Sequence, residues 1–153
     1  MVSLLLGGCQ GLKKSPDREQ CLDEGWYFCL EEGAISSSSP TDWSWKRVDL
    51  PHDWSIGPLP GQAKGVTCGP FTHRSAGRKS TGYTTGGTGW YVRTFVIPKE
   101  EADQLHFLYF EGAYMETEVW VNGKKVGYHP NGYTSFIYDI SSCCLPARQV
   151  NTV

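Results

Sequence analysis

Short apolar runs separated by turn residues recur along the chain and predict β-strands. Helical periodicity is weak throughout, whereas period-two alternation and compact apolar runs are frequent. Pro51 and Pro98 each end such a run, because proline cannot donate a hydrogen bond to a neighbouring strand. We expect strands near residues 26–30, 45–50, 90–97, 105–110, 117–121, 124–128 and 133–138. Since no strand–helix–strand spacing occurs, the pattern predicts an all-β, antiparallel sandwich of jelly-roll or immunoglobulin type.

The clearest local signal is the pair Asn122-Gly123, which separates two β-forming runs. Both central residues of a type I′ turn need positive φ angles, which asparagine and glycine tolerate. The sequence therefore predicts a tight hairpin at this position. A second Asn-Gly pair, at 131–132, precedes the last apolar run.

The run from Leu105 to Phe110 is apolar on both faces, as expected for a strand covered on both sides. Alternate residues of a strand share one face. On this basis we expect a core that contains Leu105, Phe107, Tyr109, Val119, Val121, Val126 and Phe136.

The charge balance narrows the class of partner. The 153 residues include 14 Lys and Arg against 16 Asp and Glu, for a formal net charge of -2. This balance gives no reason to expect nucleic acid or an anionic membrane as a partner. No run of 18 apolar residues occurs, so no transmembrane helix is expected. Glu116 and Glu118, two residues apart, are expected to form a solvated strand face rather than a catalytic pair.

Residues 1–20 are predicted to lie outside the fold as a leader or tether. The apolar run that ends at Cys9 resembles the remnant of a lipoprotein signal, although the basic start of such a signal is missing. A genuine signal would make the protein a periplasmic or outer-membrane lipoprotein, and the alternative is a ragged N-terminus. The cysteines at 9, 21, 29, 68, 143 and 144 contain no C-x-x-C pair, so neither a zinc site nor a disulfide framework is expected.

Three segments together resemble one protein family. They are residues 50–56 (LPHDWSI), residues 86–95 (GGTGWYVRTF) and the long run 110–140, which contains FEGAYMETEVWVNG and GYHPNGYTSF. In this order and spacing they resemble the N-terminal sugar-binding domain of glycoside hydrolase family 2, and its β-galactosidases in particular. The resemblance covers residues 22–140.

The resemblance implies a jelly-roll, galactose-binding-like sandwich over residues 21–153, acting as the accessory domain of a retaining β-glycosidase. It implies a carbohydrate of β-galactoside type as ligand, with β-glucuronide and β-mannoside as alternatives. It also implies an immunoglobulin-like domain and a catalytic barrel as partners, and neither a cofactor nor a metal. Retaining hydrolysis needs two carboxyl groups about 5–5.5 Å apart. The family places both glutamates on the barrel. The 153-residue chain alone is therefore expected to be inactive as a glycosidase.

Six residues in two loops are candidates for carbohydrate contact or for the rim of a sugar pocket: His52, Asp53 and Trp54, and His129, Asn131 and Tyr133. A carboxylate beside an aromatic ring suits a sugar, because the carboxylate accepts from hydroxyls while the ring covers the apolar face. The alternative for the first group is that Asp53 caps a turn and Trp54 is a core residue. The alternative for the second group is turn chemistry alone.

The end of the sequence departs from the family pattern. Residues 141–149 fit the family's turn poorly, and residues 151–153 resemble the start of a further strand. We therefore expect a C-terminally truncated sandwich. Two other interpretations stay open: a freestanding carbohydrate-binding module, and a gene fragment without a function of its own.

Overall fold

The computed structural model describes residues 2–7, 19–30, 45–54, 78–83 and 87–153. These residues form strands and two short 3-10 helices, at Arg78–Thr81 and Lys99–Glu101, and within them no α-helix occurs. The strands are β1 (Val2–Gly7), β2 (Glu19–Cys21), β3 (Trp26–Leu30), β4 (Lys46–Val48), β5 (Gly89–Val92), β6 (Thr94–Val96), β7 (Leu105–Phe110), β8 (Thr117–Val121), β9 (Lys124–His129), β10 (Phe136–Asp139) and β11 (Val150–Thr152). The predicted all-β class is confirmed, and every predicted strand overlaps an observed one.

The chain divides into two compact units. The large unit contains Met1–Trp26, Val48–Leu50 and Val92–Val153, and the small unit contains Tyr27–Arg47 and Pro51–Tyr91. The small unit is built around a three-stranded sheet of order β4–β3–β5.

The main sheet of the large unit has the order β10–β7–β1–β2, and its pairs are antiparallel. β7 is paired along both edges, with Phe136 opposite Phe110 on one side and Val2 opposite Phe110 on the other. Two further antiparallel pairs, β6 with β11 and β8 with β9, complete the strands of this unit.

The prediction that residues 1–20 lie outside the fold is wrong for Val2–Gly7. This segment pairs with all six residues of β7, and Glu19–Cys21 pairs with it in turn. The physical reason is that the edge of β7 not covered by β10 carries backbone N–H and C=O groups that need partners. Cys9 lies outside the described residues, and the lipoprotein signal stays a prediction.

The predicted hairpin at Asn122-Gly123 is confirmed. The two residues have φ angles of 51° and 76°, as a type I′ turn requires, and Val121 pairs with Lys124 across the turn. The β8–β9 register then shifts between Val119 and Trp120.

The predicted core is correct on β8 and β10 and wrong on β7. Val119, Val121 and Phe136 are buried, whereas Leu105 is 52% exposed. The other predicted core residues are only partly buried: Phe107 and Tyr109 on β7, and Val126 on β9. The buried face of β7 is the other one, which carries His106, Leu108 and Phe110. Because this strand is apolar on both faces, alternation along the sequence could not distinguish between them. The remaining buried apolar residues are Leu22, Trp26, Phe28, Phe95, Ile97 and Ile140.

The charged and sulfur-containing side chains singled out in the sequence lie at the surface or are partly exposed. Glu116 precedes β8 in a turn with φ 58°, so it does not share a strand face with Glu118, although both are exposed. Glu118 forms a 2.7 Å ion pair with Lys125 across the hairpin. Among the described cysteines, Cys21, Cys29, Cys143 and Cys144 are free thiols, and Cys68 lies outside the described residues. Within the described ranges, no helix has the length and apolar character needed to cross a membrane.

Candidate functional site

The loop between β9 and β10 follows His129, the last residue of β9, whose ring has two contacts. The imidazole stacks on the buried Phe136 ring with centroids 4.2 Å apart and an interplanar angle of 23°. Its Nε2 is 3.0 Å from the Thr134 hydroxyl, within hydrogen-bond distance. His129 therefore connects the start of the loop both to the core and to the far end of the loop.

The tip of this loop is fixed by backbone contacts. The backbone N–H of Tyr133 donates to Oδ1 of Asn131 at 2.7 Å, which forms an Asx turn. Gly132 lies against the turn that precedes β8, and a Cβ atom placed there would be 2.9 Å from the Tyr114 ring and 3.1 Å from the Met115 nitrogen. Only glycine allows this approach without displacement of the neighbouring turn. The Glu116 N–H also donates to the Pro130 carbonyl at 3.4 Å.

The result is a pair of exposed tyrosine rings, one from each turn. Tyr133 is 85% exposed and Tyr114 is 71% exposed. Their centroids are 6.3 Å apart and the rings are nearly perpendicular, at 87°. We call Tyr114, Asn131 and Tyr133 the tyrosine platform. Aromatic rings with exposed apolar faces are typical of ligand-binding surfaces, because contact with a ligand removes those faces from water.

The other candidate loop, in the small unit, surrounds the buried Phe28 ring. His52 packs against Phe28 at 4.9 Å, and its Nδ1 is 2.8 Å from the Tyr91 hydroxyl. The imidazole tautomer determines which of these two groups donates. Trp54 lies nearly parallel to Phe28, at 6.4 Å and 19°.

The electrostatics of this loop keep His52 and Tyr91 neutral near pH 7. Burial lowers the pKa of His52, and the nearby charge of Asp53 opposes that shift. Burial raises the pKa of Tyr91 to about 12, and Asp53 adds to the increase. His52 and Tyr91 therefore form a neutral, hydrogen-bonded pair, and Asp53 is the exposed carboxylate of the loop.

The six predicted residues thus form two groups. The structure brings His129, Asn131 and Tyr133 together in one loop of the large unit, and His52, Asp53 and Trp54 together in one loop of the small unit. Sequence reasoning missed Tyr114, although an aromatic residue inside the polar turn between β7 and β8 was an available signal. The contact of Tyr91 with His52, 39 positions away, has no local sequence signal.

No group of three His, Cys, Asp or Glu side chains that could hold a metal ion occurs in the part of the chain that the structure describes. Both loops present aromatic rings next to hydrogen-bonding groups, and they belong to an all-β fold.

The comparisons with known proteins agree with that class. The family model described as "Glycosyl hydrolases family 2, sugar binding domain" matches residues 16–149. The chain therefore belongs to glycosyl hydrolase family 2, as its sugar-binding domain, and the predicted antiparallel β-sandwich is confirmed.

Individual relatives are much longer than this chain. The β-galactosidase BoGH2A of Bacteroides ovatus is 34% identical over 139 residues, which are 89% of this chain and 15% of that protein. A β-glucuronidase of Bacteroides fragilis is 29% identical over 96 residues, which are 63% of this chain and 11% of that protein. The crystal structure of a family 2 member from Bacteroides cellulosilyticus superimposes with a TM-score of 0.72 at 36% identity, over 87% of this chain and 16% of that one.

Proposed function

We propose that the tyrosine platform binds a neutral β-galactoside, and that this chain acts as the accessory domain of a β-galactosidase. The observation that carries the proposal is the exposed tyrosine pair. Tyr114 is 71% exposed and Tyr133 is 85% exposed, and their rings are nearly perpendicular. The hydrogen bond from the Tyr133 N–H to Asn131 stabilises the turn that carries Tyr133. A pyranose offers an apolar C–H face to such a ring, while the exposed Asn131 amide can donate to a hydroxyl at the sugar edge.

The charges around the platform favour a neutral sugar over a glucuronide. The segments 111–117 and 129–136 contain Glu111 and Glu116 but neither Lys nor Arg. A uronate carboxylate would meet like charge from these two segments, and neither segment offers it a basic side chain. Relatives named as β-galactosidase and as β-glucuronidase both match this chain, and the acidic character of these two segments is what supports the galactoside in this proposal.

The small unit supplies a second, separate sugar contact in this proposal. Asp53 is exposed and can accept from hydroxyl groups, and Trp54 stands beside it, half-buried. The Phe28 ring packs against His52, and the Tyr91 hydroxyl lies within hydrogen-bond distance of its Nδ1. His52 is thus a positioning residue for the loop.

The contribution of these residues is binding and not bond cleavage. Glu118 is engaged with Lys125, and Glu116 is an exposed turn residue, so neither has the enclosed environment that would adapt it to acid catalysis. The 153-residue chain should therefore release no chromophore from a chromogenic β-galactoside above the buffer rate. Activity that disappears in Glu116→Gln would contradict this assignment.

The platform itself is tested by titrating the chain with methyl β-galactoside and, in parallel, with methyl β-glucuronide. Tyr133→Ala and Tyr114→Ala should each weaken galactoside binding by about tenfold. A lost ring contact of ~1.4 kcal/mol corresponds to that factor and lies just below the usual range for full burial of an aromatic side chain.

Tyr27→Ala is the matched control for this titration, since Tyr27 is a half-exposed tyrosine on β3, in the small unit. It should bind as the unmodified chain does. Equal loss of affinity in Tyr27→Ala and Tyr133→Ala, or tighter binding of the glucuronide, would refute the proposal.

A further inference from the structure

The outer face of the β8–β9 hairpin carries two aromatic and two charged side chains. Glu118 and Trp120 alternate along β8 with two buried valines, so they lie on the face that points away from the core. Their cross-strand partners on β9 are Tyr128 and Lys125, and residues directly opposite each other share a face. We call these four residues the hairpin face.

The irregular register of the hairpin is what brings Lys125 and Tyr128 to the same face. Residues three positions apart on a regular strand point to opposite faces. Here the pairing passes from Gly127 directly to Lys125, so Val126 is the extra residue of a β-bulge. The bulge therefore turns the Lys125 side chain towards the two rings.

Lys125 lies at the centre of the hairpin face. Its Nζ forms the 2.7 Å ion pair with Oε1 of Glu118. The same atom lies 5.8 Å from the centroid of the Trp120 ring and 5.7 Å from that of the Tyr128 ring, within the range of cation–π attraction. The ammonium group thus has three neighbours that fix its position, although 47% of the Lys125 side chain is exposed.

The ion pair offers a ligand a donor and an acceptor side by side. The ammonium group has three N–H donors, of which Glu118 needs only one, and the carboxylate keeps further acceptor lone pairs. Two adjacent hydroxyl groups of a pyranose match this pair, because one can accept from Lys125 while the other donates to Glu118. The Tyr128 ring, which is 48% exposed, provides an apolar surface beside the pair.

The same charges disfavour an anion or a metal ion as the ligand. A carboxylate bound to Lys125 would lie next to the Glu118 carboxylate and would meet like charge. A cation would in turn meet the Lys125 ammonium group, and the described residues contain no group of three His, Cys, Asp or Glu that could hold a metal ion. The arrangement therefore favours a neutral ligand that both donates and accepts.

We propose that the hairpin face is a further carbohydrate contact, which binds a neutral pyranose with two adjacent hydroxyl groups on Lys125 and Glu118 and its ring against Tyr128. The chemical class of the ligand rests on the proposed sugar-binding function, whereas the site rests on the bulge and the ion pair. The hairpin face and the tyrosine platform share no residue, so they can be tested separately.

Backbone amide chemical shifts locate the bound sugar directly. The ¹⁵N-labelled 153-residue chain is titrated with methyl β-galactoside, and we expect saturable shifts at the hairpin face along β8 and β9. Cyclohexanol, which has an apolar ring and a single hydroxyl group, should not produce them, nor should sodium acetate. Either probe reproducing the shifts would overturn the proposal, because the face would then recognise an apolar ring or an anion.

Lys125→Met keeps the aliphatic stem and removes the donor, so it should weaken binding at the hairpin face by about tenfold, a factor that corresponds to ~1.4 kcal/mol. Glu118→Ala removes the acceptor and should weaken binding in the same direction, which keeps the test decisive if Lys125→Met does not fold. Lys124→Met is the matched control, since it removes the same charge from the adjacent exposed position of β9. Equal loss of affinity in the two lysine variants would refute the proposal.

Tyr133→Ala separates the hairpin face from the tyrosine platform. The hairpin shifts should persist in this variant while binding at the platform is lost, and their disappearance would overturn the hairpin face as a site of its own. Shifts at the platform without shifts at the hairpin would overturn the hairpin proposal alone, and the reverse result would overturn the platform alone. Hairpin signals that broaden with protein concentration in the absence of sugar would identify a second copy of the chain as the occupant and would also overturn the proposal.

Discussion

At the scale of single residues, Gly127 shows how closely β9 and β10 approach each other. A Cβ atom at this position would lie far inside van der Waals contact with the Tyr138 ring. The ring of Tyr138 covers the backbone of β9 at the point where any other residue would carry a side chain. Gly112, by contrast, has open space around the position of a Cβ atom.

Gly127→Ala should therefore destabilise the chain, and Gly112→Ala should not. Overpacking of a well-packed site typically costs about 1–3 kcal/mol. This corresponds to a fall in melting temperature of several degrees, at roughly 2–4 °C per kcal/mol for a chain of this size. Thermal unfolding followed by circular dichroism measures both variants. Equal melting temperatures for Gly127→Ala, Gly112→Ala and the unmodified chain would contradict this, because they would show that the Tyr138 ring can move away at little cost in free energy.

At the scale of elements, one buried asparagine connects β11 to the β8–β9 hairpin. Asn151 is completely buried, and its Oδ1 accepts from the Leu145 N–H and from the Asn122 side chain, both at 2.7–2.8 Å. A further hydrogen bond joins the same segments, since Oδ1 of Asn122 accepts from the Thr152 N–H at 2.9 Å. The hairpin turn, the turn after β10 and β11 thus form one hydrogen-bonded assembly.

Asn151→Ala should lower the free energy of unfolding by about 2 kcal/mol or more, because it removes the acceptor of two part-buried hydrogen bonds, those from the Leu145 N–H and the Asn122 side chain, at about 1–3 kcal/mol each. Urea unfolding measures the loss. Gln149→Ala is the control, since the Gln149 side chain is exposed and only its backbone carbonyl takes part in the network. Equal unfolding midpoints for the two variants would mean that water replaces the lost acceptor.

At the scale of the whole molecule, two histidines, the partly buried His52 and the buried His106, couple stability to pH. Burial lowers the pKa of His52 in the small unit and of His106 in the large unit below the ordinary value of 6.5. The unfolded chain therefore binds protons at a pH where the folded chain does not. Stability then falls as the pH drops through 6.5 towards the folded values, and it is fully present above that range.

The free energy of unfolding should consequently decrease between pH 7 and pH 5 and stay nearly flat between pH 7 and pH 8. His106→Gln, and more so the double variant with His52→Gln, should reduce the slope below pH 7, whatever the change in stability at pH 7 itself. Urea titrations at each pH measure the slope. A slope that is the same in all three proteins would assign the acid sensitivity to carboxyl groups instead.

The sequence by itself determined the class of fold, the hairpin at Asn122-Gly123 and the family. Strand periodicity and turn chemistry are local, so they can be read from neighbouring positions, and the family motifs are contiguous segments. The same local information located His129, Asn131 and Tyr133 in one loop, because five positions separate the first from Thr134, its hydrogen-bond partner.

The tertiary structure alone decided which face of β7 is buried, and which polar residues are enclosed. β7 carries apolar residues on both faces, so the burial of Leu108 and the exposure of Leu105 depend on what the other strands place above and below. His106 and Asn151 look like surface residues in the sequence, and they are buried because distant segments cover them. Contacts such as His52 with Tyr91 join residues far apart in the chain, and a pattern along the sequence carries no information about which distant segments meet.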